Sequence, residues 1–272
     1  MNTQTDKNAP IGIFDSGLGG LSAVRAVKRF LPQEDIVYFG DTARVPYGSR
    51  SRETLLEYAE QDIRFLLTKN VKAVLIACNT ADSMTRTAME RIFDIPITGV
   101  VLPAAKLAAE TTENGKLGVI ATSATISTGI YEHLIHRYKP DADVFSEATP
   151  LLVPLIEDGR IHKTDEVTVD ILREYLAPMK KRGIDTLVLG CTHYPLIASL
   201  IGDMLPDVKL IDTGFAAVHD LTALLSGADL FADREEPGQI RYYVSDGPEN
   251  FARNGGMFIG EDITGKVKKI TL

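Results

Sequence analysis

Short, almost wholly apolar runs alternate along the chain with longer segments whose apolar residues recur at helical spacing. The runs are Ile11–Phe14, Ile36–Phe39, Ala73–Ala77, Ile97–Val100, Leu117–Ile120, Asp143–Phe145, Thr186–Leu189, Leu210–Ile211 and Arg241–Val244. Most lack polar interruption and read as strands buried on both faces. Arg241–Val244 instead reads as an alternating strand. Strands alternating with helices predict an α/β fold of mainly parallel sheet flanked by helices. The clearest helix is Glu53–Thr68, where Leu55, Leu56, Ala59, Ile63, Leu66 and Leu67 form an apolar stripe that reads as core packing.

The pattern occurs twice. Ala73-Val-Leu-Ile-Ala-Cys-Asn-Thr80 resembles Thr186-Leu-Val-Leu-Gly-Cys-Thr-His193, and Ile11-Gly-Ile-Phe-Asp-Ser16 resembles Leu117-Gly-Val-Ile-Ala-Thr122. The offsets, 113 and 106 positions, are close enough to predict two pseudo-symmetric α/β units. No long Pro/Gly/Ser linker separates them, and the pattern places boundaries near residues 100 and 212. Periodicity does not assign the stretch after Asp212 to either unit.

With 272 residues, 44% hydrophobic and 24% charged, the chain is an ordinary globular protein rather than a disordered one. A net charge of −8 argues against a broad nucleic-acid-binding face. No apolar stretch approaches the roughly 20 residues of a membrane span. Met1–Pro10 is polar and lacks a secretory signal, so the expected location is the cytoplasm. Two cysteines are too few for a disulfide framework, and a reducing compartment keeps them as thiols.

Those cysteines, Cys78 and Cys191, fall at matching strand ends, where parallel α/β sheets bind ligands. Each is expected at or just before a helix N-terminus, which favours a thiolate and offers N–H groups to a carboxylate. Asn79, Thr80, Thr192 and His193 supply polar neighbours. Three chemistries use two thiols. A redox pair usually has closer spacing, as in Cys-x-x-Cys. A metal site of Cys78, Cys191 and His193 lacks the close cysteine pairs of structural zinc. Stereoinversion at carbon needs one group to remove a proton from one face and another to return one to the opposite face.

Other positions carry two readings each. Asp15 is either a helix N-cap or an acid that orients a substrate ammonium or tunes a thiol. The glycines of Asp15-Ser-Gly-Leu-Gly-Gly-Leu21, followed by Asp41, partly fit a dinucleotide site, but Ser22 stands where the third glycine belongs. Arg44, Tyr47 and Arg50, in the loop Asp41–Arg50, are candidates to meet a carboxylate, with a solvated loop as the alternative. His193 is an acid/base candidate or a support for Cys191. Glu157 is its candidate partner or a surface acid.

Together, these segments resemble the glutamate racemases of bacterial cell-wall synthesis. The matching stretches are Gly12–Leu21, Tyr38–Gly48, Ala77–Ala81, Leu189–Pro195 and Pro154–Glu157. The resemblance implies a two-domain α/β fold with the active site between the domains. It assigns residues 1–99 plus 212–272 to the first domain and 100–211 to the second. It implies interconversion of L- and D-glutamate without cofactor or metal, and a homodimer. Cys78 and Cys191 match the two acid/base residues, taken in the family to deprotonate the D- and L-isomer respectively. Asp15 and His193 match their supporting groups. Asp15-Ser16, Tyr47-Gly48, Asn79-Thr80 and Thr192-His193 match the substrate-binding pairs. The chain departs from the family at Val101–Ala105, which lacks a glycine after Pro103, and at Thr149-Pro150, where many members have Cys-Pro. The alternatives are a racemase of aspartate or another small acid, and a catalytically silent interaction protein, since some members bind a topoisomerase.

Overall fold

In the computed structural model, which describes residues 6–272, all nine predicted strands are present. The first five residues of the polar Met1–Pro10 segment lie outside the described residues. The chain runs β1 (Ile11–Asp15), α1 (Leu21–Phe30), β2 (Ile36–Gly40), α2 (Arg52–Leu67), β3 (Ala73–Ile76), α3 (Asn79–Ile92), β4 (Ile97–Gly99) and α4 (Val101–Thr111). It continues with β5 (Lys116–Ala121), α5 (Ser123–Ser127), α6 (Ile130–Tyr138), β6 (Asp143–Ala148), α7 (Leu152–Glu157) and α8 (Glu166–Arg182). Then follow β7 (Thr186–Gly190), α9 (Ala198–Met204), β8 (Lys209–Asp212), α10 (Thr213–Gly227), β9 (Ile240–Val244), α11 (Pro248–Ile259) and β10 (Val267–Lys269).

Every strand pairing is parallel. One sheet has the order β10-β9-β2-β1-β3-β4 and the other β6-β5-β7-β8. The order 2-1-3-4 thus recurs as 6-5-7-8, with β3 and β7 in equivalent places. The helices that leave the last strand of each repeat, α4 and α10, pack on one another. One apolar core runs from Ile13 and Leu75 under the first sheet through Ala104 and Leu221 to Val119 and Leu187 under the second. The two-domain α/β fold is therefore welded through α4 and α10 rather than hinged on a bare linker.

The differences from expectation have local causes. The strand β10, Val267-Lys268-Lys269, was not predicted: a three-residue, mostly exposed edge strand carries no apolar run. The strand β6 continues through Ser146, Glu147 and Ala148 because it too is an edge, pairing only with β5. Expected to alternate, β9 instead buries Tyr242, Tyr243 and Val244 in succession, because it lies between β2 and β10. The stretch after Asp212 divides: β9 and β10 extend the first sheet, while α10 contacts both α1 and α4. The stripe on α2 is buried at Leu55, Ala59, Ile63 and Leu66, and it also buries Asp62.

Candidate active site

The sheet topology brings the C-terminal ends of β1, β3, β5 and β7 to one cavity of about 520 Å³. Ser16, Tyr47, Gly48, Cys78, Asn79 and Thr80 line it from the first repeat. Thr122, Thr149, Glu157, Cys191, Thr192 and His193 line it from the second. Every substrate-binding pair named from the resemblance is represented on these walls. Asp15 is the exception: it is fully buried and stands behind the lining.

The two thiols have unequal settings. Cys78 is the N-cap of α3, as expected. Cys191 is not at an α-helix N-terminus. The 3₁₀ turn Tyr194–Ile197 intervenes before α9, and Pro195 within it supplies no N–H. The helix terminus does not decide the state of the Cys78 thiol by itself. Burial pushes its thiol up to about 12, reinforced by the charge of Asp15 and opposed by the Ala81 amide and Ser16. Its Sγ lies 3.8 Å from Ser16 Oγ. Desolvation exceeds what the helix terminus returns, which favours the neutral form of Cys78.

Cys191 Sγ lies 3.7 Å from His193 Nδ1, and His193 Nε2 lies 2.9 Å from Glu157 Oε1. Burial alone would disfavour the imidazolium, but its hydrogen bonds to Cys191 and Glu157 outweigh that and raise its pKa to about 10. The ring of Phe258, on α11, meets the imidazole edge-on. Glu157 is thus the partner of His193 and not merely a surface acid, although its side chain stays 40% exposed.

These two groups give stability a pH dependence of one sign. Each binds its proton more tightly folded than unfolded. The His193 contribution is fully present below its ordinary value of 6.5 and is lost as pH rises to about 10. That of Cys78 is lost between 9.0 and about 12. Urea midpoints are expected to fall from pH 7 to pH 10, with a shallower fall in His193→Gln.

Asp15 is not an N-cap: the cap of α1 is Gly20. Its Oδ2 accepts the Gly17 N–H at 2.9 Å, and its Oδ1 lies 3.4 Å from Thr192 Oγ1. Burial lifts its carboxyl above the usual range, against the pull of His193 and of the Gly17 and Gly20 amides. The glycine-rich turn beside it serves close packing. A Cβ on Gly19 would lie 2.1 Å from Thr192 Oγ1 and 2.6 Å from His193 Nδ1. Gly19→Ala is therefore expected to displace the Cys191 loop and to lower kcat/KM by on the order of 100-fold. Steady-state kinetics alongside a melting curve checks this.

The dinucleotide reading fails at both ends, since Gly19 is filled by the opposite loop and Asp41 is engaged internally. Asp41 Oδ2 accepts from Arg44 Nε and from Tyr47 Oη, each at 2.5 Å. Arg44 also bonds Asp62 Oδ1 at 2.8 Å and stacks over Tyr58. Arg44 is thus committed beneath the loop, not offered to a ligand carboxylate, and Arg50 is exposed and does not line the cavity. Among the described residues, no group of three or more His, Cys, Asp or Glu is disposed to hold a metal ion.

Sequence reasoning missed two features. Asp62 anchors Tyr47 through a 3.0 Å bond, and its signal was an acid at a stripe position of α2. Thr80, Thr122 and Thr125 place three hydroxyls 2.9–3.2 Å apart across the repeats. The match of Thr122 to Ser16 pointed there. The Thr149 hydroxyl pairs with Tyr194 Oη at 2.6 Å.

Comparison with known proteins agrees with this arrangement. The family model of Asp/Glu/Hydantoin racemase matches residues 22–221. The glutamate racemase of Geobacter metallireducens is 42% identical over 263 residues, covering 96% of each chain. A glutamate racemase structure from Bacillus anthracis superposes with a TM-score of 0.92 at 34% identity, covering 98% of each chain. That of Francisella tularensis, solved in complex with D-glutamate, gives 0.89 at 38% identity over the same share. Two strand-end thiols on one cavity, the recurring sheet order and these near full-length matches agree: the chain belongs to the Asp/Glu/hydantoin racemase family and, within it, to the glutamate racemases.

Proposed function

We propose that this racemase inverts glutamate by two-base proton transfer between Cys78 and Cys191, without a cofactor, in the cytoplasm, supplying D-glutamate for peptidoglycan. The observation that carries the reading is that both thiols end equivalent strands, β3 and β7, and face one cavity from opposite repeats. Sheet membership supports a first domain of 1–99 with 212–272 and a second of 100–211, with the cavity between them. No helix among the described residues is long and apolar enough to cross a membrane. The homodimer implied by the resemblance belongs to the same proposal.

The α-proton of an amino acid is very weakly acidic, so its removal needs a placed base and support for the developing charge. The N-terminus of α3, at Asn79 and Thr80, is suited to a substrate carboxylate. Ser16, Thr192 and the Tyr47-Gly48 turn supply further polar groups. His193, bonded to Glu157 and 3.7 Å from Cys191 Sγ, is placed to hold positive charge beside that sulfur, and burial favours a proton on Cys78. In the L-to-D direction Cys191 takes the α-proton while Cys78 delivers one to the other face. The roles exchange in reverse, once the proton has moved from Cys78 to Cys191. Asp15 and Glu157 act through the thiol and imidazole beside them.

The test is circular dichroism of L-glutamate and, separately, L-aspartate with protein freed of metals and pyridoxal phosphate. Optical rotation lost from glutamate and retained by aspartate is expected. The reverse result would assign the chain to aspartate or another small acid, and activity that depends on an added cofactor would overturn the two-thiol reading.

A further inference from the structure

Tyr131, on α6, is buried behind the cavity and does not line it. Its phenolic O–H donates to Asn79 Oδ1 at 2.5 Å, on the residue that follows Cys78. The edge of the same ring covers Gly190, the residue before Cys191: a Cβ built there would stand 3.3 Å from Tyr131 Cε2. One side chain therefore touches the chain neighbours of both cysteines. The other end of the Asn79 amide is also held, since its Nδ2 donates to Thr213 Oγ1 at 3.2 Å, at the start of α10. Burial lifts the Tyr131 phenol well above its ordinary range, helped by the charges of Asp82 and Cys191, so its O–H remains a donor.

We infer that Tyr131, with Thr213, is a positioning residue that fixes the separation of the two thiols across the reacting carbon. It touches no reacting atom. The inference rests on the two-thiol reading above. Proton transfer demands hydrogen-bond reach, and both thiols must reach one carbon from opposite faces. Tyr131→Phe keeps the ring on Gly190 but frees the Asn79 carbonyl, so slack enters on the Cys78 side alone. Cys191 still removes the proton from L-glutamate, whereas delivery from Cys78 is delayed. The carbanion then returns to Cys191 more often, and a thiol proton exchanged with solvent enters L-glutamate without inversion.

The experiment follows L-glutamate in D2O with the wild type, Tyr131→Phe and Thr213→Val, the last removing the second hold on Asn79. In Tyr131→Phe, kcat is expected to fall on the order of 10- to 100-fold, with KM within about threefold. Deuterium in recovered L-glutamate per D-glutamate formed is expected to rise. Thr213→Val is expected to move the same ratio in the same direction. Unchanged kcat in both variants, or a fall in kcat with the wild-type exchange ratio, would overturn the positioning role. Absence of solvent deuterium from the product of the wild type would instead overturn the two-thiol reading itself.

Discussion

Cys78→Ser and Cys191→Ser are each expected to lower kcat/KM in both directions by about 10²–10⁴-fold, the range of a placed acid or base. Serine nearly preserves shape, so the cavity should stay intact. Its hydroxyl is far less acidic than a thiol and cannot serve as the base. Both cysteines are 6% exposed, which leaves little room for water to substitute. If the two thiols act as the proposed unit, the double variant should be scarcely worse than either single one. The settings differ, however. Cys78 faces Ser16 and the buried Asp15, while Cys191 faces His193. The residual rates in the two directions should therefore differ between the variants. Rates measured by circular dichroism from each enantiomer check this, and full activity in either single variant would contradict it.

The second large effect concerns stability. Arg44→Met is expected to cost about 3–5 kcal/mol, the usual consequence of stranding buried charge. Arg44 bridges Asp41 and Asp62, whose side chains have no exposed surface. Burial and the neighbouring Asp41 already push the Asp62 carboxyl well above its ordinary range, with Arg44 as the main counterweight. Without the guanidinium the Asp62 carboxyl loses its main counterweight beside Asp41, and the two acids that Tyr47 bonds are no longer tied together. Pairing Arg44→Met with Asp62→Asn should restore part of the loss by removing one of the two buried acids that Arg44 holds. Urea unfolding measures both. A loss below about 1 kcal/mol would mean the pair behaves as a solvated surface bridge.

How far the sequence reveals such features depends on where each signal resides. Strands buried on both faces leave apolar runs, so β1, β3, β5 and β7 were legible, and with them the strand ends that carry Cys78 and Cys191. The recurrence of Cys78 at Cys191 also carried the pseudo-symmetry. Edge strands leave weaker traces, which is why β10 was missed and β6 was cut short. The protonation of Cys78 was not legible. Position at a helix N-terminus can be read from sequence, but desolvation depends on what folds over the thiol. The same applies to Arg44: a loop arginine looks free until Asp62, from a distant turn of α2, is placed beneath it. The place of Gly19 against Thr192 and His193 is a contact between repeats, invisible to any local pattern.

The central claim is that one thiol removes the α-proton and a different one returns it. Its most direct measurement is the early course of L-glutamate racemisation in D2O by the wild-type protein, with Cα deuterium read separately in each enantiomer by mass spectrometry. The two-thiol account predicts D-glutamate deuterated from the first turnovers, beside remaining L-glutamate that still carries hydrogen. D-glutamate that retains the substrate's own hydrogen would contradict it, because a single group would then have served both faces.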